Sequence, residues 1–508
     1  MIFNIVSMIS KNEIKLIFVI VLLFFLFWEY IVDLQFIGEG FQYFQVVNGF
    51  SSSLKFSHDI FARIIFIPLQ FFFHEKVQLY MLFMLLFMLS INIVLYFCVR
   101  FITKNTLTAF FTTLFFSLSH IANYDMFSSG GYQYFVQRAT PFLPLIVSFA
   151  LLVKYFYSGC KFKYFVLSLS SYILAVLMGF FAIWMLPLFV IYPIIYVTYK
   201  FKRNGFAILK YIIISFSYLL SSLFIISSSP FSKQEMSPIQ MLIKKPTFIL
   251  ENIAQQFSVL VLPVGSYKVL RKFFDDSLTF QINPVIEIGM ILIFLYLIFI
   301  GVLFLKLPKL RVLILTLFVS LFGILAINTY LNASTVMVSF ESSRYFYYPY
   351  FPISFIWGIT FAYLYKKNTR LKLVVILLVL VYMLNNYYWT YQNKVKDEYL
   401  HNANKDILNF FDRNKDFIKN NPTYIYLPST LGPYGVEFVN KFYGSREHKF
   451  VLENFEELDY QKIYEQGLKP ENLYVFHYDQ KKQKVYDLTF VSRNILKGVY
   501  ETNRKSSL

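Results

Sequence analysis

The chain has 508 residues, of which 57% are hydrophobic and only 15% charged, with a mean hydropathy of +0.54. That balance excludes an ordinary soluble globular protein, in which about 25% of residues are charged. The formal net charge of +18 is spread over short connections with no Lys/Arg cluster of the nucleic-acid-binding kind, so it speaks for membrane topology and against a nucleic-acid partner.

Aromatic residues make up 21% of the chain, a supply of rings for helix interfaces and for the headgroup level. The two cysteines, Cys98 in an expected span and Cys160 in an expected cytoplasmic connection, form no structural disulfide. The first apolar run is followed by neither a small-residue cleavage site nor a polar mature domain, and it reads as a retained signal-anchor helix.

A helix needs about 20 apolar residues to cross the hydrocarbon core. Eleven candidate spans follow in order, at 16–32, 77–99, 107–120, 141–157, 162–178, 180–199, 206–226, 284–305, 310–330, 347–365 and 371–389. The fifth and sixth are separated by Gly179 alone, and are either a tight helical hairpin or one long broken element.

Charge sets the orientation, because Lys- and Arg-rich loops stay cytoplasmic. The connections with Arg100 and Lys104, with Lys154, Lys161 and Lys163, with Lys200, Lys202, Arg203 and Lys210, with Lys306, Lys309 and Arg311, and with Lys366, Lys367, Arg370 and Lys372 all fall on one side. None of these loops holds an Asp or Glu. Lys11 and Lys15 place the N-terminus there too, so an odd span count puts the C-terminus outside.

The opposite face holds the long loops, 33–76 and 227–283. The first contains IFARIIFIPLQFFF, an expected interfacial helix, and the second contains FILENIAQQFSVLVLPVG, an expected interfacial or re-entrant one. The expected domains are therefore a membrane part, 1–390, and a C-terminal part, 391–508. In the latter a polar helix-like stretch precedes three strand-like runs, TYIYLP, NLYVFHYD and KVYDLTFV, so a small α/β domain outside the membrane is expected.

Candidate chemistry lies on that outer face. Glu39, between two glycines in DLQFIGEGFQYF, sits close to an apolar boundary that raises a carboxylate's pKa and makes it a better proton acceptor once ionised. It is a candidate general base, with a solvated loop acid as the plain alternative, and Asp33 marks the boundary of the first span. Asp125, in the short loop SHIANYDMFSSGGYQYFVQR, is the candidate second carboxylate; the alternative is a helix cap or a partner of Arg138. Arg138, Arg63 and Arg344 are the outer cations whose planar fork suits a phosphate, although Arg344 also has Glu341 three residues earlier as an alternative partner. The six histidines, His58, His74, His120, His401, His448 and His477, show no metal-ligand spacing, and no Walker A, Rossmann or HExxH motif is present.

With a cytoplasmic N-terminus, an acid in the first outer loop just after the first span, within GEGFQYF, interfacial helices in that loop, a second acid in the next outer loop, SSRYFYYPYFP at the start of a late span and a C-terminal outer domain, the chain resembles the GT-C superfamily. These are multi-pass glycosyltransferases that use polyprenyl-phosphate-linked sugars. Two adjacent acids, frequent in that family's first loop, are absent here, where Gly38 and Gly40 flank Glu39. No WWD-type signature appears in the tail, which argues against transfer to asparagine.

The resemblance implies a GT-C-like fold of about 11 transmembrane helices, N-in and C-out, in the cell membrane. It implies inverting transfer from a polyprenyl-phosphate donor to a glycan, lipid or protein acceptor, with Glu39 and Asp125 catalytic and Arg344, Arg138 and Arg63 on the phosphate. A divalent metal is compatible with such chemistry, with ligands unassigned. An O-antigen-type polymerase or ligase is the alternative enzyme. A lipid or solute transporter ranks lower, because the charges gather at loops and helix ends rather than at mid-span.

Overall fold

The computed structural model describes residues 10–33, 68–69, 71–73, 76–127, 135–200, 205–227, 247–266, 283–331, 346–421, 423–427, 431, 439, 443, 449–452, 458–479, 481–482 and 484–506. Among these, seven helical stretches are long and apolar enough to cross a membrane: Lys11–Val32, Val77–Thr103, Phe135–Tyr157, Phe181–Lys200, Glu287–Lys306, Pro308–Thr329 and Thr369–Gln392. Three shorter apolar helices, Thr106–Leu118, Phe162–Met178 and Ile212–Phe224, and the helix Tyr347–Lys367 cover the remaining expected spans. The protein is a multi-pass helical membrane protein.

Helix α1 (Lys11–Trp28) opens with a capping box, in which Ser10 N–H donates to Glu13 Oε2 at 2.9 Å and Glu13 N–H to Ser10 Oγ at 3.3 Å. The other oxygen of Glu13 pairs with Arg100 near the end of α2 (Val77–Thr103), so α1 and α2 run antiparallel. At the far end of α1 the Trp28 indole N–H donates to the Ser117 carbonyl at 3.0 Å, beside the end of α3 (Thr106–Leu118). A break at Ser119 separates α3 from the short α4 (His120–Phe127).

A π-helical turn, Phe135–Ala139, leads into α5 (Thr140–Tyr157). Helix α6 (Phe162–Met178) packs antiparallel to α5 through Ser148 and Ser168, whose hydroxyls each donate to the other's carbonyl at 2.6 Å. Small hydroxyl residues of this kind let membrane helices approach closely. After Gly179 a 3₁₀ turn, Phe180–Met185, enters α7 (Leu186–Lys200). Phe149 meets Phe189 and Phe156 meets Tyr196, so α7 runs parallel to α5 and the α6–α7 element is a tight hairpin. Helix α8 (Gly205–Ser227) then pairs with α6 through Tyr218 to Ser168 and Tyr172 to Ser222, both at 2.7 Å.

The 14-residue α9 (Phe248–Val261) is too short to span. It packs between α10 (Asn283–Lys306) and α11 (Arg311–Leu331). An added Cβ at Gly289 would lie 2.1 Å from the Ala254 carbonyl oxygen, so the two backbones touch there. Gln256 accepts from Asn328 Nδ2 at 2.6 Å and donates to Thr329 Oγ1 at 2.7 Å.

Helix α12 (Tyr347–Lys367) occupies the middle of the bundle, with every residue from Tyr347 to Ile356 buried. Shielded by protein on all sides, it tolerates a less apolar sequence than a lipid-facing span. It crosses α3 where Gly358 meets Thr112. Lys366 donates to Asn105 Oδ1 at 3.3 Å, at the same end of the bundle as Glu13 and Arg100.

Helix α13 (Thr369–Arg413) is one continuous element of 45 residues, about 68 Å at 1.5 Å per residue and so about twice the hydrocarbon thickness. Where the sequence suggests a last span and a separate polar helix, the two are a single rod. A short α14 (Lys415–Asn420) follows, and then, among the described residues, a four-stranded sheet of order β2-β1-β3-β4. Strands β1 (Tyr424–Leu427), β2 (Lys449–Leu452) and β3 (Leu473–Asp479) are parallel, and β4 (Lys484–Asp487) pairs antiparallel to β3.

The period-2 alternation of the strands decides the layers. Tyr474 and Phe476 meet Phe410 of α13 at ring-centroid distances of 5.1 and 4.8 Å. Leu473 and Val475 face the other side, sharing a core with Ile463 of α15 (Tyr460–Glu465) and Leu496 of α16 (Thr489–Ser506). Strand β2 is missing from the sequence reading, and TFV after KVYD is the first turn of α16, begun where Asp487 accepts from Thr489 N–H at 2.9 Å.

Candidate functional site

Arg138 lies in the π-helical turn that opens α5 and is 2% exposed. Single π turns break the regular ladder and recur at functional sites. Its guanidinium carbon sits 4.4 Å from the centre of the Phe181 ring and 5.4 Å from that of Trp184. The two rings are 5.2 Å apart and nearly perpendicular to each other, so they form an aromatic cage around one side of the guanidinium, held by cation–π attraction, and its planar fork is the feature by which arginine takes planar oxyanions.

Gly179 makes this cage. An added Cβ there would lie 2.3 Å from the Gln137 carbonyl oxygen and 2.7 Å from Pro141 Cγ, so only glycine lets the α6–α7 hairpin close on the π turn and deliver Phe181 and Trp184. From the third side Tyr348, in the first turn of α12, donates its hydroxyl to the Arg138 carbonyl at 2.9 Å. Phe87 closes on Phe135 from α2 at 5.5 Å.

The short α4 packs on both the π turn and α12. Its first residue, His120, is 7% exposed, with its N–H donating to Asn386 Oδ1 at 2.8 Å and its Nδ1 3.1 Å from Thr390 Oγ1. Both partners are on α13. The Tyr124 ring stacks on the imidazole at 4.7 Å, and Asn123 Nδ2 donates to the Phe116 and Ser119 carbonyls at 2.7 and 3.1 Å, closing the break in the chain.

Of the residues selected from the sequence, Arg138 is the one described to its guanidinium. Asp125 has its backbone in α4 and Asp33 in the 3₁₀ turn that ends α1, with neither side chain among the described residues. Glu39, Arg63 and Arg344 lie outside the described residues, as do Glu341, His58 and Asp59. The structure thus brings the Asp125 helix and the Arg138 turn together, next to the start of α12, which Arg344 precedes by three positions. Among the described residues no cluster of three or more His, Cys, Asp or Glu side chains stands ready for a metal.

Sequence reasoning missed Asn386, Thr390, Phe181, Trp184 and Tyr348, and set His120 aside with the other histidines. A polar Asn and Thr four residues apart in a lipid-exposed span were the available signal for the first two. No protein-family profile and no curated protein matches the chain.

Proposed function

We propose that this protein is an integral membrane glycosyltransferase of the GT-C type. It moves a sugar from a polyprenyl-phosphate donor to a glycan, lipid or protein acceptor of the cell envelope, at the bundle end where α1 finishes. The observation that carries the reading is the meeting of three parts: the helix bearing Asp125, the buried Arg138 in its aromatic cage, and the start of α12 just after Arg344. Such a transfer needs a carboxylate as well as a phosphate-binding guanidinium, roles proposed for Glu39, with Asp125 as the second carboxylate, and for Arg138.

In the proposed reaction Glu39 takes the proton of the acceptor hydroxyl, and that oxygen forms a bond to the anomeric carbon from the face opposite the phosphate. The bond from the anomeric carbon to the phosphate oxygen breaks, and the polyprenyl phosphate leaves with the electron pair, held by Arg138 and Arg344. The orientation has the N-terminus cytoplasmic and the C-terminal sheet outside. Support comes from the basic connections around Arg100 and Lys366, which share one end of the bundle with the start of α1.

The test is transfer from a panel of polyprenyl-phosphate sugars by the full chain in nanodiscs. Glu39→Gln is expected to abolish transfer with insertion intact, and Arg138→Lys, which keeps the charge and loses the fork, to lower kcat by about 100-fold. Full activity of Glu39→Gln would sink the base assignment.

A further inference from the structure

We infer that Asn386, on the last spanning helix, is the positioning residue for the helix that carries Asp125. The inference rests on the glycosyltransferase reading for its activity readout and on geometry alone for its structural one.

The chain breaks at Ser119, whose backbone is extended, and α4 has only eight residues. A helix this short holds no position by its own propensity, and its first N–H groups need acceptors from elsewhere. Ser119 Oγ takes the Ala122 N–H at 3.1 Å, a local cap. The first N–H of α4, that of His120, is taken instead by Asn386 Oδ1, which lies 266 positions away in sequence. This is a cap supplied by another helix.

Asn386 is itself fixed. Its Nδ2 donates to the Tyr382 carbonyl at 2.9 Å, which orients the amide so that Oδ1 points at α4. The Tyr382 hydroxyl donates to the Phe115 carbonyl at 2.7 Å, tying the same turn of α13 to the end of α3. One turn further along, Thr390 holds the His120 ring. Asn386 and Thr390 are each 2% exposed, so water does not replace these bonds when they are cut.

Asp125 is five residues beyond His120 on the same helix, so its place relative to the Arg138 turn depends on this clamp. A shift of about 1 Å in a reacting group costs up to about 100-fold in rate. The helix that supplies the clamp continues unbroken to Arg413, and its Phe410 packs on the C-terminal sheet, so one rod sets both.

The test compares wild type, Asn386→Leu and Asn386→Asp as full chains in nanodiscs. Burial favours the neutral acid in the Asp variant, which keeps an oxygen acceptor for the His120 N–H and replaces the Nδ2 donor to the Tyr382 carbonyl with its own O–H. In Asn386→Leu, hydrogen exchange of the peptide covering 119–124 is expected to quicken about fivefold. Its kcat for sugar transfer is expected to fall about 10- to 100-fold, with donor KM within about threefold. Asn386→Asp is expected to stay near wild type in both.

Unchanged exchange in the Leu variant, or equal loss in both variants, overturns the inference. So does faster exchange in the Leu variant alongside a wild-type kcat. If wild type transfers no sugar from the donor panel, the glycosyltransferase reading has failed, and the exchange comparison alone decides for or against the clamp.

Discussion

Gly179 and Arg138 form one device at the scale of single residues. The glycine is visible in the sequence as the only separator between two apolar runs, but its purpose is set by the Gln137 carbonyl, 2.3 Å from where a Cβ would stand. Backbone cannot yield as a flexible side chain does. Gly179→Ala is therefore expected to destabilise the protein by about 1–3 kcal/mol through overpacking. A lower thermal midpoint in detergent and altered Trp184 fluorescence are the measurements. Arg138 was selected from the sequence for its charge, and the caging rings come from a segment more than forty residues later. Glu13 is the counterexample: the sequence shows an acid among basic residues, and only the fold reveals the pair with Arg100, with 5% and 23% of the two side chains exposed. Removing one member of a buried pair costs about 3–5 kcal/mol, and Glu13→Gln is expected near the lower end because Arg100 reaches solvent.

A further residue-scale prediction concerns the β3–β4 turn. Asp479 accepts from the backbone N–H groups of Lys481 and Lys482 at 2.9 and 3.1 Å. These bonds, that from Lys482 foremost, hold its carboxyl below the usual aspartate range. A depressed folded-state pKa stabilises the turn above the unfolded value, and the effect is lost as pH falls through the folded value. Exchange of the Lys481 and Lys482 amides is expected to stay slow from neutral pH down through the ordinary aspartate range, and to quicken only below it once intrinsic pH dependence is removed.

Among elements, α9 separates what pattern tells from what packing tells. Its composition and length mark a helix that does not cross, leaving interfacial and re-entrant placement equally open. Packing on α10 and α11 through Gly289, Phe257 and the Gln256–Asn328–Thr329 bonds decides that it sits between spans. Its end is fixed as well: Gly265 has φ of +85°, and an added Cβ would lie 1.9 Å from the Trp389 ring. Gln256→Leu is expected to cost about 1 kcal/mol, two bonds at about 0.6 kcal/mol each between membrane helices. Gly265→Ala is expected to be worse, since it meets both the left-handed backbone and the indole. Denaturant titration in mixed micelles checks the order of the two variants.

For the whole molecule, the rod α13 makes the span bundle and the C-terminal sheet one mechanical unit. A reporter fused after Leu508 is expected to read extracytoplasmic, and a cytoplasmic reading would remove the orientation and the outer-face site with it.

Several properties were determined by the sequence alone: membrane character, the order of helical segments, the gathering of basic connections at one end of the bundle, and most of the strands. These depend on local hydrophobicity, charge and period, which neighbouring residues carry among themselves. The tertiary structure alone decided the cage around Arg138, the buried pair at Glu13, the seat of α9, and the clamp of Asn386 on His120. Each joins groups far apart along the chain, and whether two such groups meet depends on helix register and close approach at glycines, which no local pattern encodes.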